Sequence, residues 1–254
     1  MPRHVFYELL RRYVAAGAPA RLDRLLDETA HFVLPAWCAG CDARLPWRPS
    51  PLGLCATCAR RLPPPPPAPR LATLDGLIAA WSYRPPIDEV VRRLKYGRLE
   101  YLAGDLAVGM AAAAASASGH DYITAVPLHW RRRLERGYDQ AALLAASVAS
   151  RISLPYRATL VRSRATPPQA ARSAAARKAN VAGAFRCRAG SKPALRGVRV
   201  LLVDDVATTG ATLEAAGRAL KQGGAARVTA LVAALTPPFA TPGHPRYNRE
   251  PGLG

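Results

Sequence analysis

The sequence predicts an α/β fold with a mostly parallel sheet, preceded by a small module built around cysteines. Three observations carry this expectation. Strand-like and helix-like patterns alternate from Gly76 to Thr236. One strand, Val198–Val206 (VRVLLVDDV), is a near-continuous apolar run, as burial on both faces requires. Four cysteines between Cys38 and Cys58 precede a run of prolines, Pro63–Pro67, that cannot sit in a helix interior.

Residues 1–34 carry two short amphipathic patterns, Val5, Leu9, Leu10, Tyr13 and then Leu22, Leu25, Leu26, broken by Gly17-Ala18-Pro19. The proline run reads as a semi-rigid spacer and sets a boundary near residue 70. Beyond it, Gly76–Tyr83 reads as a strand, and Ile87–Ser116 as helix interrupted at Lys95-Tyr96-Gly97. Asp121–Leu128 is a strand, and Gln140–Ile152 a helix with Asp139 as its N-cap. Arg157–Val161 is a short strand, Ala211–Gln222 a helix closed by Gly223-Gly224, and Arg227–Thr236 the last strand. The expected division is therefore 1–69, 70–236 and a Pro- and Gly-rich tail, 237–254, expected to be disordered.

With 254 residues, half of them apolar, the chain can bury a sizeable core, which excludes wholesale disorder. No apolar stretch is long enough to cross a membrane, and the N-terminus does not resemble a signal peptide. A cytoplasmic protein without membrane insertion is expected. The formal charge is +19, but Arg supplies 32 of the 36 basic residues and Lys only 4, a pattern that genome composition can produce. The distribution is more telling. Gln140 to Val203 contains no acidic residue, and 12 basic ones lie between Arg151 and Arg199. Such a field repels itself unless it meets phosphates or solvent.

Cys38-Ala-Gly-Cys41 and Cys55-Ala-Thr-Cys58 are two CxxC pairs separated by 13 residues. Two such turns can aim four thiolates at one ion and complete a tetrahedral, structural Zn2+ site with no open position. A pair of disulfides is disfavoured in a cytosolic chain, and a redox CxxC lacks its βαβ setting. Cys187 is left over and reads as inert.

In Val200–Leu213 (VLLVDDVATTGATL) an apolar strand ends at Asp204 and Asp205, and a small-residue loop opens a helix. Backbone N–H groups of Val206, Ala207, Thr208, Thr209, Gly210, Ala211 and Thr212, with the threonine hydroxyls, make an anion site at the carboxyl edge of the sheet. The two carboxylates can accept from ribose hydroxyls, directly or through Mg2+, so the pattern suits a ribose 5-phosphate. Without function it would be an ordinary strand-to-helix turn with capping threonines. Neither a P-loop nor a dinucleotide fingerprint is present.

This segment resembles the PRPP-binding motif of the type I phosphoribosyltransferases. Val126-Pro-Leu-His129, Arg133, Arg136-Gly-Tyr-Asp-Gln140, Thr166-Pro-Pro-Gln169, Arg177, Asn180–Phe185 and Arg93-Leu-Lys-Tyr-Gly97, with the CxxC pairs before them, resemble the ComF family in its order. One departure stands out: the family's RGFNQ reads RGYDQ here, through Tyr138 and Asp139. The resemblance implies a type I phosphoribosyltransferase fold with Asp204 and Asp205 as catalytic carboxylates and Mg2+ accompanying PRPP. It also implies a pyrophosphate loop and flap to which Pro127, Leu128, His129, Arg133, Arg136, Gln140, Gln169 and Arg177 contribute. The flap corresponds to Arg162–Lys178. His129 reads as a loop residue rather than a general base.

Three function classes stay open: a phosphoribosyltransferase with an unidentified acceptor, a protein of the same fold that handles single-stranded DNA with the competence machinery, and an adaptor that senses a phosphoribosyl ligand. A glutamine-dependent amidophosphoribosyltransferase is not expected, because Met1-Pro2 offers no N-terminal cysteine nucleophile.

Overall fold

Four parallel strands in the order β3-β8-β7-β4 form the central sheet: β3 (Gly76–Ser82), β4 (Tyr122–Ala125), β7 (Arg199–Ala207) and β8 (Arg227–Leu235). The computed structural model describes residues 36–45, 51–97, 99–115, 119–162, 183–191 and 193–237. The amphipathic patterns of residues 1–34 and nearly all of the expected tail lie outside them. So does most of the expected flap, including Thr166, Gln169, Arg177 and Asn180.

Alternation along β7 explains the layers. Val200 and Leu202 face one core, with Val228, Ala230 and Val232 of β8 and Leu213, Ala216 and Leu220 of helix α6 (Ala211–Gln222). Leu201 and Val203 face the other. There they meet α2 (Ile87–Tyr96), α3 (Leu102–Ala114) and α5 (Gln140–Ile152). Period-two side-chain direction thus turns one apolar run into the floor of two cores.

The cysteine segment joins the second core. Its short strands β1 (Ala36–Trp37) and β2 (Arg44–Leu45) pair antiparallel, and helix α1 (Ala56–Arg60) follows. Leu52 and Leu54 are buried with α2 and α3 residues. A Cβ at Gly40 would lie 2.6 Å from Pro86 Cβ, so the first CxxC turn needs glycine to sit against the start of α2.

Three elements differ from the sequence expectation. Strand β4 stops at Ala125 rather than Leu128; Val126 still donates to Val203 O, but Pro127 has no N–H to continue the ladder. The expected strand Arg157–Val161 is redistributed. Tyr156 makes an isolated bridge to Ile123, the chain turns at Arg157–Thr159, and β5 (Leu160–Arg162) pairs antiparallel with β6 (Phe185–Cys187). Trp130–Arg136, a stretch to which the sequence pattern assigned no helix or strand, is helix α4.

Candidate functional site

The four cysteine Sγ atoms all lie within 4.8 Å of one another. Cys41 and Cys55 Sγ are 3.7 Å apart, against about 3.8 Å along the edge of a tetrahedron with ~2.3 Å Zn–S bonds. Gly40 N–H and Cys55 N–H point at Cys38 Sγ, and Cys58 N–H at Cys55 Sγ, which favours thiolates. The Cys58 N–H pulls Cys55 down to about 7, whereas burial and the neighbouring cysteines push Cys58 up. Crowded thiols that oppose one another's ionisation are relieved by a cation, and all four are free of disulfides. The set could hold a metal such as zinc.

The second cluster stands where β7 meets α6. Asp205 is buried and Asp204 half-buried at the strand end. Asp204 Oδ1 accepts from Asp205 N–H at 2.8 Å. Ala207 is buried, Thr208 and Thr209 are exposed, and Gly210 caps α6 at φ 74°. That positive φ calls for glycine, and a Cβ there would also crowd the Leu71 methyl groups at 2.7 Å. Thr209 Oγ1 lies 3.5 Å from Ala211 N. The stretch before β3 is fastened to the same helix: Glu214 accepts from Ala72 N–H and, through its carbonyl, from the Thr73 hydroxyl.

Lys95 reaches this strand end from the last turn of α2, with Nζ 3.0 Å from Asp205 Oδ1. Burial favours neutral Lys95, but the charge and hydrogen bond of Asp205 outweigh it and hold the ammonium above the usual lysine range. Burial, and then the charge of Asp205, push Asp204 up to about 8. Arg162, at the end of β5, also senses Asp204. Its own burial and the charge of Arg132 lower it, against that carboxylate. Tyr83, which closes β3, is raised chiefly by burial.

The remaining expected residues that are described lie within Pro127–Gln140, and Asp139 ties that stretch together. Its Oδ1 accepts from Ala142 N–H at 3.1 Å, capping α5, while Oδ2 accepts from Leu128 N–H at 2.9 Å. One carboxylate therefore fixes both the helix and the Pro127–His129 loop. Pro127 and Leu128 are half-buried and His129 is buried, stacked obliquely on Trp130. Arg136 donates to Gln140 Oε1 and to the Tyr96 hydroxyl, and its guanidinium covers the Tyr96 ring at 4.7 Å. Gln140 is fully buried, and its Nε2 has no hydrogen-bond partner among the described residues. Arg133 is exposed. The Tyr138 hydroxyl donates to Leu94 O, one residue before Lys95. Of the expected flap only Arg162 is described; β5 and β6 bracket the rest.

Sequence reasoning quoted Lys95 only as part of a motif and gave it no role. The signal was present in Arg93-Leu-Lys-Tyr-Gly97, at a helix end, but not the partner.

Residues 139–244 match the Phosphoribosyl transferase domain family. The chain is 35% identical over 178 residues to the DNA utilization protein YhgH of Salmonella typhimurium, covering 67% of this chain and 74% of that one. It is 31% identical over 155 residues to the Competence protein F of Haemophilus influenzae, covering 58% and 67%. Among solved structures, the allosteric regulatory enzyme of purine biosynthesis aligns at 23% identity and TM-score 0.35, covering 51% of this chain and 25% of that one.

Proposed function

The chain belongs to the ComF family, and from that premise we propose that it binds PRPP or a related ribose 5-phosphate and serves DNA uptake. The observation that carries the ligand reading is the strand-end arrangement: two carboxylates, then a threonine loop that opens a glycine-capped helix, whose first N–H groups have no intrahelical acceptor. In this reading the loop Val206–Thr212 holds the 5-phosphate. Asp204 and Asp205 accept from the 2′- and 3′-hydroxyls. The Pro127–His129 loop, with Arg133, Arg136 and Gln140, faces the pyrophosphate; Arg133 is exposed and Arg136 is held by Gln140 Oε1. Residues Gln169 and Arg177 belong to the proposed flap.

Carboxylate oxygens are hard donors and suit Mg2+, which when bound would neutralise charge on a departing pyrophosphate. If the protein turns PRPP over, the C1′–O bond to pyrophosphate breaks as a bond from C1′ to the acceptor's nucleophilic atom forms. That atom gives up its proton to solvent. The chain's own contribution is to hold the ribose by its hydroxyls and phosphate, and to surround the leaving group with fixed N–H donors and guanidinium groups. Zinc at Cys38, Cys41, Cys55 and Cys58 is proposed as structural, and the protein as cytoplasmic.

The test is thermal. PRPP with Mg2+ should raise the Tm, by an increment equivalent to about 2.7 kcal/mol at 100 times Kd. Replacing Asp204 and Asp205 by Ala should abolish it. No shift in the wild-type protein at millimolar PRPP ends this reading. Pyrophosphate release with candidate acceptors then decides between an enzyme and a sensor.

A second reading has its own support. Tyr96, Trp130 and Leu134 are exposed at 67%, 58% and 75%, on α2 and α4, among Arg132, Arg133 and Arg136. Aromatic faces interleaved with guanidinium groups suit single-stranded nucleic acid. Binding should weaken from 50 to 200 mM salt and should weaken further in Trp130→Ala. Binding that is indifferent to salt and to Trp130 would exclude this surface.

A further inference from the structure

Two neighbouring carboxylates at a strand end would bind any free divalent cation unless something already occupied them. Here something does. The Lys95 ammonium sits 3.0 Å from Asp205 Oδ1, with side-chain exposures of only 21% and 12%, so water screens the pair weakly. The backbone that delivers it is pinned on both sides. Leu94 O accepts from the Tyr138 hydroxyl, and Arg93 bridges Glu89 of its own helix and Asp42 beside the first CxxC turn, both within 2.9 Å. The stem of Lys95 remains the adjustable part, with four carbons and three donors on a point charge.

Resting on the PRPP reading above, we propose that Lys95 is the resident counter-ion of the site and bars a free divalent cation from Asp204 and Asp205, so that the cation enters only together with the anionic ligand. Ammonium and metal ion compete for the same oxygen lone pairs of Asp205. When a divalent cation arrives alone, it meets a carboxylate already neutralised and a positive charge a few ångströms away, and the site rejects it. When it arrives on a polyphosphate, the ligand brings several negative oxygens. The ammonium can then turn towards these while the carboxylates take the ribose hydroxyls. Lys95 thereby couples two binding events that would otherwise be independent. It touches the carboxylates before the ligand arrives and the ligand afterwards, and the order of binding is its signature.

The experiment titrates Mn2+ into the zinc-replete full chain without ligand, followed by electron paramagnetic resonance, and separately titrates PRPP in the presence of Mg2+. Wild-type protein should show no Mn2+ binding at this site below millimolar concentration. Lys95→Met should bind Mn2+ at least tenfold more tightly and PRPP at least tenfold more weakly, and Lys95→Arg should stay close to wild type in the Mn2+ titration. Zinc content and the melting curve check the fold, and Lys95→Gln replaces Lys95→Met if the latter fails to fold. Equal Mn2+ affinity in wild type and Lys95→Met overturns the proposal, as does tight Mn2+ binding by the wild type, or an unaltered PRPP affinity alongside a raised Mn2+ affinity. PRPP that never binds the wild type removes the ligand reading and with it the coupling, while the Mn2+ comparison still shows whether Lys95 occupies the carboxylates.

Discussion

At the cysteine site every hydrogen-bond partner of the sulfurs among the described residues is local. Four sulfurs come from two turns of one short stretch, and N–H groups of the same stretch point at Cys38 and Cys55. At the strand end the carboxylates and threonines are local, but the balancing charge is not. Lys95 arrives on α2, Arg162 on β5, and Leu71 from the chain ahead of β3. The first site is written in spacing, and its four sulfurs could hold a metal without help from elsewhere in the chain. The second depends on the fold being assembled around it. The difference predicts that damage at the cysteines spreads outwards, whereas damage at the carboxylates stays in the site.

The largest effect should come from breaking the local site. One Zn2+ per chain should copurify. A structural zinc site contributes about 10–16 kcal/mol of apparent binding energy that becomes folding energy. Because Leu52, Leu54 and Cys58 lie in one core with α2 and α3, Cys38→Ser should lose the metal and cost several kcal/mol globally, a Tm drop of roughly 10 °C or more. Elemental analysis and melting curves check both. Stoichiometric disulfides in a freshly prepared, non-oxidised sample would sink the zinc assignment.

The same contrast explains what could be read in advance. The β7–α6–β8 unit was legible because its apolar run, loop and glycine stop are contiguous, and helix α5 because Asp139 caps it at the expected position. Helix α4 was not legible: Trp130–Arg136 has no apolar stripe, and burial does not explain it. The β5–β6 pairing was missed because its two strands are far apart in sequence and each is only 3 residues long. At the candidate site, Asp204, Asp205 and the threonine loop were found as a string. The ion pair with Lys95 was not, since sequence spacing carries no information about contacts made through packing.

The next effect is a pH dependence confined to the strand end. Asp204 is pushed up to about 8 by burial and by Asp205, with Lys95 opposing and Asp139 adding to the rise. Arg162 faces it from β5. The folded chain therefore keeps this proton over a range in which the unfolded chain, at about 4, has lost it. The contribution is present at low pH and is lost as pH rises from about 4 to 8, at no more than ~1.4 kcal/mol per pH unit. Urea denaturation of the ligand-free, zinc-replete protein at pH 5, 7 and 8.5 should show the fall, and Asp204→Asn should flatten it. An equal slope in both proteins would mean that the carboxylate is ionised throughout.

A smaller loss tests the link between the two regions. Tyr138→Phe removes the hydroxyl that donates to Leu94 O, at the end of α2, where a carbonyl has few helical partners. The expected cost is about 1–2 kcal/mol in the urea midpoint. Weaker PRPP binding should accompany it, because Leu94 precedes Lys95. A stability loss with unchanged ligand affinity would separate helix anchoring from the site.

The smallest effect concerns the residue that departs from the family pattern. Asp139 uses both oxygens, one on Ala142 N–H and one on Leu128 N–H. Asparagine has a single carbonyl oxygen, so its amide nitrogen would face one of these N–H groups, donor against donor. Asn is as good an N-cap as Asp, so the helix side should keep its bond and the Pro127–His129 loop should lose one. Asp139→Asn should therefore cost about 0.5–1 kcal/mol, with an unchanged denaturant slope. Asp139→Ala strips both N–H groups and should cost about twice as much. The loop is where the difference should show: amide exchange at Leu128 should speed up in Asp139→Asn, while Ala142 stays protected. Equal acceleration at both amides would show that the carboxylate holds the helix and the loop as one unit. Unaltered exchange at Leu128 would show that the loop is held by its packing on His129 and Trp130 instead.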